Sequence, residues 1–166
     1  MLVGHGGIAS DTPPELVAEL KRLSRERERR GDSTVSDREA ELDRTIRLWP
    51  RTDSSDPYKR GLEAIGRELA PRIAPRRLVV AYNEFCAPSV DGAIDRLVID
   101  GAAKITLVTT MFTPGGSHAE IDIPNLVRGA AARHRGVDIE YAWPFHVDGI
   151  AEFLARHLTA HSGRGK

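Results

Sequence analysis

Cys86 is the only cysteine in the sequence. One thiol cannot close an intrachain disulfide, nor can it supply a multi-cysteine zinc or iron–sulfur site. An excess of either charge is also missing, because 24 Lys and Arg stand against 24 Asp and Glu. Nucleic acids and anionic membranes are usually met by a clear basic excess, so neither is an expected partner. No apolar run approaches the roughly 20 residues that span a bilayer. The N-terminus has no basic stretch leading into an apolar core, which argues against a secretory signal and leaves cytoplasm as the default compartment. Three motifs are absent as well. There is no Gly-Lys-Ser/Thr phosphate loop and no spaced-glycine dinucleotide fingerprint, so no nucleotide is expected. Without a Gly-x-Ser-x-Gly elbow, an α/β-hydrolase reading fails.

The pattern that is present suits one domain over residues 1–166, since the chain has 166 residues of which 40% are hydrophobic. Three β-branched-rich runs read as buried parallel strands: Arg77–Tyr82, Lys104–Thr110 and Val137–Ala142. Between them, Val90, Ala93, Ile94, Leu97 and Val98 follow the spacing of one buried helix face. A further helix is expected to start at Asp122-Ile-Pro124, with Asp122 as cap and Leu126, Val127 and Ala130 turned inward. The last helix is expected over Asp148–His157, with Ile150, Phe153 and Leu154 inward. Alternating strands and helices imply a doubly wound parallel sheet with helices on both faces. Its ligand site lies beyond the carboxyl ends of the strands.

The first strand is short. Only Met1–Val3 precede the Gly4-His5-Gly6-Gly7 loop, whereas strands average about five or six residues. A natural start upstream of Met1 is therefore expected. Residues 11–69 are the least regular stretch. Helical spacing runs from Pro14 through the mixed-charge Arg25–Arg30, another short helix covers Asp37–Leu48, and Leu62, Ile65 and Leu69 mark a third. About residues 25–60 exceed what one crossover helix needs and read as a helical insertion after the first strand.

Residues able to do chemistry fall just after strands: His5, Glu84 in Asn83–Ser89, and His118 in Phe112–His118. Two neutral imidazoles suit Fe²⁺, Co²⁺ or Ni²⁺, and a carboxylate between them can act as base or extra ligand. Each residue also has a plain reading. A histidine beside glycines is more often a turn residue, Glu84 could cap the following helix, and His118 could be a polar loop residue. Cys86 reads as a packing residue. His134, His157 and His161 read as surface residues, and His146 as a possible border of the site. What favours a site is convergence, because His, Glu and His each follow a strand of one sheet.

Four segments carry a family resemblance: Val3-Gly-His-Gly6, Tyr82-Asn-Glu-Phe-Cys-Ala-Pro-Ser89, Gly101-Ala-Ala-Lys-Ile105, and Gly116-Ser-His-Ala-Glu-Ile-Asp-Ile-Pro124. In this order they resemble the sirohydrochlorin cobaltochelatase and ferrochelatase family, the CbiX-type class II chelatases. The resemblance implies a chelatase-like sheet of four parallel strands. It implies insertion of a divalent metal, Co²⁺, Fe²⁺ or Ni²⁺, into sirohydrochlorin or a related tetrapyrrole without ATP. His5 and His118 would bind the metal, and Glu84 would assist metal binding or proton removal. Backbone amides at Gly6, Gly7, Gly116 and Ser117 would meet the macrocycle's carboxylates. Larger chelatases have two such domains facing one cleft, so a homodimer is the natural expectation here. The alternative is a non-catalytic metal- or tetrapyrrole-binding carrier or regulator on the same fold.

Overall fold

Two apolar clusters on opposite faces of a sheet organise the molecule, whose computed structural model describes residues 1–162. The strands are β1 (Leu2–Gly4), β2 (Val80–Tyr82), β3 (Lys104–Thr109) and β4 (Asp138–Tyr141). All pair in parallel, in the order β2-β1-β3-β4. The helices are α1 (Pro14–Arg30), α2 (Asp37–Arg47), α3 (Pro57–Leu69), α4 (Val90–Ile99), α5 (Ile123–Arg133) and α6 (Val147–Ser162). Adjacent residues of β1 point to opposite faces, as the strand period requires. Val3 packs with Val90, Ala93 and Ile94 of α4 and Ile123 and Ala130 of α5, whereas Leu2 packs with Leu62 of α3. Helices thus cover both faces, as the alternation predicts, and the strands β2 and β4 are shorter than their sequence runs.

The irregular stretch before α3 builds a small core of its own. Leu20 of α1 packs against Leu42 and Ile46 of α2, joined by Ile8, Leu16, Val17 and Phe85. α1 ends at Gly31, whose φ of +65° closes the turn. Asp56 caps α3 by accepting the Lys59 amide at 2.8 Å. No helix among the described residues is long and apolar enough to cross a membrane.

Four expectations need correction. Asp122 is not an N-cap: a π-helical turn, His118–Asp122, precedes α5, so helical winding begins a turn earlier and Asp122 lies inside it. Ile150, Phe153 and Leu154 do not point into a core. α6 forms over Val147–Ser162, yet none of its residues is buried, and Phe153 is 54% exposed. Ile65 of α3 is exposed too, because the helix buries Leu62 and Gly66 instead. His134 is half-buried, with its Nε2 2.7 Å from Asp95 Oδ1, a contact that holds the Asp95 carboxyl below its usual range.

Ile46 is fully buried where α1, α2 and Phe85 meet. Ile46→Ala is expected to cost about 2–5 kcal/mol by leaving a cavity there. Urea unfolding followed by circular dichroism measures it.

Candidate metal centre

β1 is flanked by β2 and β3, so the loops after these three strands leave the sheet side by side. The pairing Gly4↔Tyr82 sets the register. It continues past the strands, with the Asn83 amide donating to the Gly4 carbonyl at 2.9 Å and the Glu84 amide to the His5 carbonyl at 2.8 Å. His5 and Glu84 are therefore fixed to each other through backbone. The loop after β3 brings His118 to the same place. One donor atom from each of His5, Glu84 and His118 lies within 4.8 Å of the others. The two imidazoles meet edge to face, with centroids 4.7 Å apart.

Close approach explains the glycine at position 6. Its φ is +93°, and a Cβ there would sit 1.9 Å from the Glu84 carbonyl oxygen. Phe85 has φ of +51° because the chain reverses sharply, the Cys86 amide donating back to the Glu84 carbonyl at 2.6 Å. The Phe85 ring packs into the α1–α2 core.

Arg51 ties the two loops together. Its side chain is 6% exposed and pairs with Asp56, which is 3% exposed. The guanidinium donates to the Gly7 carbonyl at 2.8 Å in the first loop and to the Phe85 carbonyl in the second. It also reaches the Ile46 carbonyl at 3.3 Å, at the end of α2. The Tyr58 hydroxyl accepts the His5 amide at 2.7 Å. Cys86 is buried beneath this loop, and burial pushes its thiol up to about 11, which suits packing and not nucleophilic attack.

Hydrogen bonds assign the imidazole tautomers. A carbonyl can only accept, so His5 Nδ1–H donates to Gly6 O at 2.8 Å. An ionised carboxylate can only accept, so His118 Nδ1–H donates to Asp122 Oδ2 at 2.6 Å. The Asn83 side-chain amide lies 3.1 Å from the same nitrogen. Both Nε2 atoms are left with free lone pairs, and His5 Nε2 is 3.8 Å from Glu84 Oε2. An outer-shell partner on the second nitrogen is how metal-binding histidines are usually oriented. Two donors sharing an ion at about 2.1 Å are at most about 4.2 Å apart. The donor atoms of the cluster lie within 4.8 Å of one another, close to that limit.

The three residues singled out in the sequence are brought together in the structure. Sequence reasoning missed Asp122 as the orienting group, although an Asp four residues after His118 is the spacing that places two side chains on one helical face. It also missed Arg51 and Tyr58, whose contacts with the site are to loops distant in the chain. His146 is exposed and outside the cluster.

The model of the CbiX family matches residues 54–159, a span that includes Glu84 and His118 and leaves out His5. No curated protein matches the chain. A crystal structure from Marinobacter aquaeolei VT8, described as a cobalamin (vitamin B12) biosynthesis CbiX protein, is similar in fold. It has a TM-score of 0.53 and 18% identity over 99% of this chain and 96% of that one. SirB from Bacillus subtilis, solved with Fe³⁺, has a TM-score of 0.46 and 18% identity over 86% of this chain and 38% of its own. The sirohydrochlorin chelatase SirB from B. subtilis subspecies spizizenii, solved with cobalt, has a TM-score of 0.43 and 20% identity, covering 86% and 41%.

Two substitutions separate orientation from architecture. Asp122→Asn is expected to weaken Co²⁺ binding about 10–100-fold with the fold unchanged, as loss of an orienting partner does. Titration calorimetry and circular dichroism read the two effects. Arg51→Ala is expected to lower stability by about 3–5 kcal/mol, because Asp56 is left buried without its counter-charge. Denaturant unfolding gives that number.

Proposed function

We propose that this chain, which belongs to the CbiX family, inserts a divalent metal into sirohydrochlorin or a related tetrapyrrole without a nucleotide. The observation that carries the reading is the convergence of His5, Glu84 and His118, one donor atom from each lying within 4.8 Å of the others, with each imidazole's Nδ1 engaged by a neighbouring group. Imidazole and carboxylate ligands suit Fe²⁺, Co²⁺ and Ni²⁺ alike, and supply and geometry select among these. The metal is substrate here, so a two-imidazole hold with open positions is an advantage: the ion must leave.

In this mechanism the metal exchanges water for the two imidazoles. The macrocycle enters over the glycine-rich loops, its carboxylates meeting backbone amides at Gly6, Gly7, Gly116 and Ser117. Insertion of M²⁺ into the free-base ring releases two pyrrole protons. Glu84 accepts one, and the other passes to a histidine released by the metal or to solvent. The protein contributes position and a base, which are worth about 100-fold or more each in comparable proton transfers. The proposed setting is cytoplasmic.

The test mixes the protein with sirohydrochlorin and Co²⁺, Fe²⁺ or Ni²⁺ and follows the visible spectrum of the macrocycle. Insertion above the uncatalysed rate is expected, with the His5→Ala, His118→Ala double variant slowed at least about 100-fold. Tight binding of metal or tetrapyrrole with no turnover would instead establish a carrier.

A further inference from the structure

A cleft that the proposed mechanism leaves unused adjoins the candidate centre. Its volume is about 590 Å³, within the range of about 300–1,000 Å³ usual for ligand sites. Asp43, Arg44 and Arg47 of α2 line one side, and Ser89 and Gly92 at the start of α4 line another. Asn83 also lines it and joins it to the centre. The Asn83 side-chain amide is 3.1 Å from His118 Nδ1, and its carbonyl accepts from Arg47 Nη2 at 3.4 Å. Both arginines lie in the segment between β1 and β2, before the span that the family model matches.

The charges lining the cleft leave positive charge over. Asp43 is already paired with Arg47 Nε at 2.6 Å, and Asp91 with Arg133 of α5 at 2.9 Å. Arg44 is exposed and has no acidic partner among the described residues. Arg47 is the reverse case. Its Nη1 is buried and has no hydrogen-bond partner. An N–H shut away from water in this manner calls for an acceptor that the chain itself does not supply. A guanidinium fork matches a carboxylate, whose two oxygens accept two parallel N–H bonds.

The ligand of the proposed reaction carries such groups. Its ring centre belongs at the metal, so the carboxylates on its rim fall beyond the ligating residues. Asn83 places the cleft just beyond His118.

We propose that Arg44 and Arg47 receive a rim carboxylate of the macrocycle in this cleft, and that α2 thereby selects tetrapyrroles with free acid side chains. The identity of the ligand rests on the chelatase reading. The backbone amides of the glycine-rich loops meet any acceptor, whereas the two arginines add a preference for negative charge.

Binding measured without metal tests this apart from turnover. Sirohydrochlorin and its methyl ester are titrated into the protein, and quenching of tryptophan fluorescence gives each affinity. The ester is expected to bind at least about 10-fold more weakly than the free acid. Arg44→Gln is expected to weaken binding of the free acid about 10-fold and to leave ester and Co²⁺ affinities unchanged. Arg47→Lys keeps the charge and loses the fork, and about 10-fold weaker binding of the free acid is expected with an unchanged circular dichroism spectrum. Arg29→Gln, an exposed change on α1 outside the cleft, is expected to alter nothing. Equal affinity of Arg44→Gln and the unaltered chain for the free acid overturns the proposal and leaves the chelatase reading standing, because metal insertion tests that separately. An equal loss for acid and ester, or an equal loss with Arg29→Gln, also overturns it, the first as a packing effect and the second as general charge. If the unaltered chain binds no tetrapyrrole, the chelatase reading falls and this proposal falls with it.

Discussion

The buried pair of Arg51 and Asp56 is the interaction on which the candidate centre depends. A guanidinium taken out of water needs acceptors for its donors, and here its two terminal nitrogens find them in Asp56 and the carbonyls of Gly7, Ile46 and Phe85, while its Nε–H has no partner. Those carbonyls belong to the loop after β1, the end of α2 and the loop after β2. One side chain therefore joins three separate segments, and Asp56 holds it while also capping α3. This gives the long segment between β1 and β2 a physical purpose. Its core takes in the Phe85 ring, its last turn and following loop supply Arg51, and together they fix the backbone on which Glu84 sits.

Around that frame the chemistry is set by hydrogen bonds and not by burial. His5 and His118 are partly exposed. Their order comes instead from the groups on Nδ1. Gly6 O and Asp122 fix the protonated nitrogen of each ring and so aim the other. Gly6 serves twice, since its carbonyl accepts from His5 while its missing Cβ lets the Glu84 carbonyl approach.

The periphery follows a different logic. α4 and α5 pack on one face of the sheet and α3 on the other. α6 is amphipathic in its own sequence, and its apolar stripe meets no neighbour within the described residues.

Local patterns made much of this legible. The period-2 and 3.6-residue patterns identified three strands, the helices between them and the amphipathic last helix, because those periods report directly which side chains share a face. The positions just after strands singled out His5, Glu84 and His118, and the strand order brings their loops together. What the pattern could not say is where an apolar face goes. Ile150, Phe153 and Leu154 were correctly grouped on one stripe of α6, yet only the tertiary structure shows that none of them is buried. Asp122 had the composition of a helix cap, and only the extra π-helical turn places it inside, facing His118. Arg51 and Tyr58 carried no signal, since the loop groups they hold, Phe85, Gly7 and His5, lie 34 to 53 residues away in the chain. The sequence by itself determined which residues could bind a metal and which helices were amphipathic, because both are properties of neighbouring residues. Only the tertiary structure decided what orients those ligands and what each apolar stripe meets, because both are contacts between segments that the chain keeps far apart.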